Sequence, residues 1–227
     1  MLIPTMITLT GPDDRTDISA LASFAASRPE VEIAVLFSAS RRGISRYPTL
    51  GWVAELADSG MNLSAHVCGS WAQAIVDGRD PDFDPALLAP FSRVQVNTRP
   101  GADPAAVRAW ADRTAGRDGK PLAPILQSRG DEFPEDDRVL WLHDPSGGRG
   151  IAQTRWPRPR PGTGLAGGLG PGRIAPLLAS LEHVDGVWID METSLRNAAD
   201  EFDLGICEEV CREVDGVRCP AMNSLSA

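Results

Sequence analysis

Eight short apolar runs rich in β-branched residues, helical patterns between most of them, and glycine-bearing turns after the sixth and seventh predict an α/β fold. The expected architecture is a (βα)8 TIM barrel, one domain over residues 1–227. The runs are 6–10, 31–38, 63–68, 94–98, 123–127, 139–143, 164–168 and 187–191. Strands that alternate with helices run parallel, and eight such units close on themselves. The first helical pattern, 17–27, spaces Ile18, Leu21, Ala22 and Ala25 along one face, with Asp17 placed to cap it. Patterns at 50–58, 71–76, 104–115, 173–181 and 202–214 follow, the fourth with Pro104 in its first turn. Two crossovers break the rule. Residues 128–138 are too few for a helix with its loops, and the alternating prolines of Arg155-Trp-Pro-Arg-Pro-Arg-Pro161 forbid one. Outer helices 5 and 6 are therefore expected to be reduced or missing. The Pro-Arg tract is expected to form an ordered loop over the barrel, and a partner-docking segment is its other reading. The barrel flank bared by the missing helices would suit a homodimer contact.

A chain of 227 residues can bury a full core. Its formal charge of −9 argues against nucleic acid or an anionic membrane surface as partner. Lys120 is the only lysine and precedes the fifth run, at the end of the barrel opposite the expected active face, which excludes Schiff-base chemistry. The remaining positive charge is arginine, whose fork suits phosphates and carboxylates. No stretch reaches 18 apolar residues, and the first residues lack the basic flank and length of a signal peptide. Four cysteines without such a signal are expected to be reduced thiols in a cytoplasmic protein. Cys207 and Cys211 lie one helical turn apart with Cys219 beyond. A metal site would need a fourth ligand, so they are read as buried helix cysteines, and no metal or other cofactor is expected.

Alternation along the strands sorts residues to the two faces. Leu63, Ala65 and Val67 should meet the helices, which turns Ser64, His66 and Cys68 inward. The same parity turns Arg93, Gln95 and Asn97 inward, and likewise Trp188, Asp190 and Glu192. Thr8, Thr10 and Gln127 share that face. So polar an interior departs from the branched aliphatic layers of a structural barrel and marks a ligand site at the carboxyl-terminal rim. Paired glycines at Gly147 and Gly148, and at Gly167 and Gly168, would let backbone N–H groups approach a phosphate.

Four segments carry a family resemblance. Leu36-Phe-Ser-Ala-Ser-Arg-Arg42 with Ser45-Arg-Tyr47, Arg93-Val-Gln-Val-Asn97, His143-Asp-Pro-Ser-Gly-Gly-Arg-Gly150 with Trp156, and Leu165-Ala-Gly-Gly-Leu-Gly-Pro171 resemble phosphoribosylanthranilate isomerase. The resemblance implies an Amadori rearrangement with the strand-6 aspartate, Asp144, as general acid. It also implies a strand-1 base that is a cysteine in the family; here Thr10 stands at that position. The family's strand-1 lysine is replaced by Thr8, and its strand-8 serine by Glu192.

The expected function is thus a phosphosugar isomerase of this kind, on the family's substrate or a changed one. Asp144 would be the acid, and the base would be Glu192 or a Cys68 thiolate supported by a His66 imidazolium. Gly147, Gly148, Gly167 and Gly168 would hold phosphate. Arg41, Arg42 or Arg46 would meet a substrate carboxylate or phosphate at the rim, with Asn97, Gln127 and Asp190 binding the rest. Two rivals remain open: a metal-dependent epimerase using His66, Asp144, Asp190 and Glu192, and a non-catalytic barrel that only binds a phosphoribosyl ligand.

Overall fold

A computed structural model describes residues 1–98, 101–147 and 150–218. Eight parallel strands close into a barrel in chain order: β1 (Met6–Thr10), β2 (Val31–Ser38), β3 (Leu63–Cys68), β4 (Arg93–Asn97), β5 (Ala123–Ser128), β6 (Leu140–His143), β7 (Thr163–Leu165) and β8 (Trp188–Met191). The ring shuts where Thr8 pairs with Asp190 in the β1–β8 register. The helices are α1 (Ile18–Ser27), α2 (Leu50–Glu55), α3 (Gly69–Val76), α4 (Pro104–Arg113), α5 (Ile174–Ser180) and α6 (Leu204–Arg218). Asp17 caps α1 by accepting from the Ala20 amide at 2.8 Å. β7 is shorter than its apolar run because Gly167 and Gly168 take φ of +105° and +68°, outside the strand region.

Between β5 and β6, and between β6 and β7, no helix forms among the described residues. Loops cover that flank instead. Phe133 and Trp156 pack edge-on against His143, and the Trp141 indole donates to the Asp136 carbonyl at 2.6 Å. Trp141 and His143 are buried beneath these loops.

Outward-facing strand residues such as Ile7, Ile33, Phe37, Val67, Val94 and Ile189 pack against the helices and form the main core. The barrel interior divides by side. Ile125, Leu142, Ala166 and Trp188 form a small apolar cluster on the β5–β8 side. Thr8, Glu32, Ser64 and Arg93, from β1–β4, are buried and polar. Gly164 sits where any Cβ would collide with the Trp188 indole. The interior is therefore less uniformly polar than alternation implied. Arg93 makes a bidentate pair with Glu32 at 2.8 and 2.7 Å, touches Thr8 Oγ1 at 3.3 Å, and lies 4.5 Å from the centre of the Trp188 ring.

A forked guanidinium on a carboxylate satisfies both charges, but removing one partner strands the other away from water. Glu32→Ala is therefore expected to cost about 3–5 kcal/mol in a denaturant melt. The double change Glu32→Leu with Arg93→Met should recover most of that loss.

Candidate active site

Inner-face residues at the carboxyl-terminal ends of the strands open into a cavity of about 750 Å³, a size usual for small-molecule sites. His66 and Cys68 from β3, Gln95 and Asn97 from β4, Gln127 from β5, Asp144 after β6, and Asp190 and Glu192 from β8 all line it. Gly147, Gly167, Gly168, Arg41 and Arg46 complete the rim. Gly148 lies outside the described residues. Arg42 turns away, stacking 5.5 Å from the Trp71 ring centre.

Asp144 is held through both carboxylate oxygens. Its Oδ1 accepts from the Ser146 amide, the Ser146 hydroxyl and the Gly147 amide at 3.1, 2.7 and 3.1 Å. Its Oδ2 accepts from Gln127 Nε2 at 3.3 Å. A Cβ on Gly167 would stand 3.7 Å from Asp144 Oδ1, so the aspartate and the second glycine turn are neighbours. Arg173 Nη1 donates to the Gly168 carbonyl at 2.9 Å, which sets a cation beside that turn.

Asp190 is buried on the inner wall and accepts from the Thr10 hydroxyl at 2.7 Å. Burial raises it to about 7; the Thr10 bond opposes that rise, while Glu192, Glu32 and Asp144 add to it. Glu192 is likewise raised by burial, against the pull of Arg46, whose Nη1 lies 3.1 Å away. The second nitrogen of Arg46 reaches Asp200 at 3.2 Å. Arg46 thus meets carboxylates of its own chain. Arg41 stacks on Tyr47 and donates to its hydroxyl at 3.0 Å.

The expected imidazolium–thiolate pair does not form. Burial and the charge of Arg93 push His66 down to about 3, so its ring is neutral. Burial pushes the Cys68 thiol up to about 11. Cys68 Sγ accepts from Asn97 Nδ2 at 3.2 Å and donates to the His66 carbonyl at 3.6 Å. A neutral imidazole and a protonated thiol supply no base near pH 7. Among the described residues no three His, Cys, Asp or Glu side chains gather so as to hold a metal ion. The set His66, Asp144, Asp190 and Glu192 read for an epimerase is therefore not assembled. Cys207 and Cys211 are buried on α6, and Cys219 lies outside the described residues.

The sequence reading missed a latch of charges that joins three loops at the mouth. Arg196, nearly enclosed, donates to the Gly11 carbonyl at 2.7 Å, Asp13 Oδ2 at 2.9 Å, Ser45 Oγ at 3.0 Å and Asp200 Oδ1 at 2.7 Å. Burial works to raise Asp13, but the Arg46 amide and the Arg15 and Arg196 guanidiniums outweigh it and hold it below the usual range. These residues lie far apart in sequence at no fixed spacing, so no motif announced them.

Fold and site together define a (βα)8 barrel with a carboxylate-rich cavity beside glycine turns at its carboxyl-terminal rim. The same fold occurs in solved structures named for the family the sequence resembles. TrpF from Jonesia denitrificans superposes with a TM-score of 0.61 at 16% identity, covering 95% of this chain and 99% of that one. Phosphoribosyl anthranilate isomerase from Thermus thermophilus gives 0.59 at 12% identity, with 94% and 100% covered. Monomers made from the dimeric phosphoribosylanthranilate isomerase of Thermotoga maritima give 0.58 at 12%, with 95% and 100% covered. No protein-family model matches the sequence, and no curated protein matches it. No helix among the described residues is long and apolar enough to cross a membrane.

Gly168 is the turn's most constrained position. Besides its left-handed φ, an added Cβ would lie 2.6 Å from the Ala152 amide nitrogen. Gly168→Ala is expected to lower stability by about 1–3 kcal/mol, read from a thermal melt.

Proposed function

We propose that this chain is an isomerase similar to phosphoribosylanthranilate isomerase, acting on a phosphorylated ribosylamine by general acid/base proton transfer. The observation that carries the reading is the Thr10–Asp190 hydrogen bond of 2.7 Å. It sets a carboxylate raised to about 7 at the strand-1 position where the resemblance expects a base. A group half-ionised near neutral pH is well matched to taking and returning a proton.

The glycine turns and Arg173 hold the phosphate end and fix the sugar between Asp144 and Asp190. Asp144 gives a proton to the ribose ring oxygen as the C1–O bond breaks, and the amine lone pair forms the C1=N bond. Asp190 removes the C2 proton, and those electrons neutralise the iminium to give an enolamine. Return of a proton to C1 and loss of the C2 hydroxyl proton leave the ketone, with no net change in protons. Thr10 positions Asp190 and takes no part in proton transfer. Glu192 is the counter-ion of Arg46 instead of the base, which departs from the sequence expectation.

On a panel of phosphoribosylamines, Asp190→Asn and Asp144→Asn should each lower kcat by about 10²–10⁴-fold. The wild-type kcat/KM should rise with pH through about 7 as Asp190 ionises, and Asp190→Asn should flatten that limb. Unchanged turnover in both variants would remove the acid/base assignment. Tight ribose 5-phosphate binding without turnover in the wild type would favour a ligand-binding barrel.

Stability should move the opposite way. A carboxyl raised in the folded state stabilises the fold below its unfolded value near 4, and that contribution is lost as pH rises through about 7. Asp190→Asn is therefore expected to raise the melting temperature at pH 8, by roughly 1–3 kcal/mol of added stability, and to change little at pH 4.

A further inference from the structure

The floor of the cavity holds a chain of hydrogen bonds with one direction. The Cys68 thiol donates to the His66 carbonyl, Asn97 Nδ2 donates to Cys68 Sγ, and Gln95 Nε2 donates to Asn97 Oδ1 at 2.7 Å. Each residue in the series gives one N–H or S–H to the next, and Gln95 Oε1 lies at the far end as an acceptor. Among the described residues it has no partner although Gln95 is only 3% exposed. Beside it, in β3–β4 register, His66 is 2% exposed and its Nε2 also has no partner among the described residues. Both residues line the cavity. Buried polar atoms left unpaired are costly, and a ligand group that pairs with them recovers the cost.

The charges of the same cavity point the same way. Arg46 is neutralised by Glu192 at 3.1 Å and by Asp200 at 3.2 Å. A ligand carboxylate there would have to displace Glu192 and would meet Asp144 and Asp190 in the same cavity.

Taking the phosphoribosylamine reading as its basis, we infer that the substrate's amine-side group is uncharged. It presents an N–H or O–H donor, a primary carboxamide being the fitting type, to Gln95 Oε1 and His66 Nε2. Glu192 disfavours the carboxylate counterpart at Arg46 by holding that guanidinium. Gln95 and Glu192 are in this sense specificity-determining residues of the cavity.

The test uses two stable, non-reacting probes that differ in one group: 1-deoxyribitol 5-phosphates carrying at C1 either 2-aminobenzamide or 2-aminobenzoate through the 2-amino nitrogen. Calorimetry on the full chain should show the carboxamide bound at least about tenfold tighter. Gln95→Leu should remove most of that preference by weakening the carboxamide alone. Glu192→Gln, which frees the Arg46 charge while keeping a hydrogen bond, should tighten the carboxylate probe several-fold and leave the carboxamide nearly unchanged. Should Gln95→Leu fail to fold, the Glu192→Gln exchange decides alone. Equal binding, or a carboxylate preference in the wild type, overturns the inference. So does binding of ribose 5-phosphate with neither probe, which leaves the phosphate site standing. Failure of ribose 5-phosphate and both probes together overturns the isomerase reading and this inference with it.

Discussion

The Arg93 guanidinium is the interaction around which the barrel interior is arranged. It enters from β4, is neutralised by Glu32 of β2, rests against the Trp188 face from β8 and touches Thr8 of β1. One cation thereby links strands on opposite sides of the ring and separates the apolar β5–β8 cluster from the polar wall. Its charge also reaches the cavity above and helps keep His66 neutral. A neutral imidazole can read a donor or an acceptor but cannot activate the Cys68 thiol beside it. The chemistry assigned to the floor is consequently recognition, and proton transfer falls to the carboxylates on the other wall.

Those carboxylates are made useful by burial. Asp190, Glu192 and Asp144 share one cavity, and for Asp190 and Glu192 both desolvation and neighbouring carboxylates disfavour ionisation. The protein resolves the crowding by giving each a different partner. Asp144 is anchored by the amides and hydroxyl of its own turn, Glu192 is matched with Arg46, and Asp190 has only the neutral Thr10 hydroxyl. The least compensated of the three is the one raised to about 7.

Much of this was legible in the chain. Parity along β3, β4 and β8 placed His66, Cys68, Gln95, Asn97, Asp190 and Glu192 on the inner face, because alternation in a strand is geometric and independent of context. The prolines of 155–161 and the short 128–138 crossover identified the missing helices for similarly local reasons. What parity could not supply was protonation. Cys68 and His66 looked like a nucleophile and its activator until burial depth and the Arg93 charge were known. Glu32 escaped notice because β2 is buried on both faces and reads as a continuous run, and the Arg196 latch because its partners are spread from Gly11 to Asp200.

The latch bears on how the cavity reaches its final charge. Arg196 joins Gly11 and Asp13, after β1, to Ser45, after β2, and to Asp200, beyond β8. Asp13 in turn accepts from the Arg46 amide at 2.8 Å, and Arg46 has a left-handed φ of +74° that a non-glycine residue seldom adopts. An unfavourable backbone persists when its surroundings over-determine it, and here they do so through Asp13, Glu192 and Asp200. The strained residue is the one whose guanidinium faces Glu192 at the mouth. Loop geometry and cavity charge are therefore set by a single connected network.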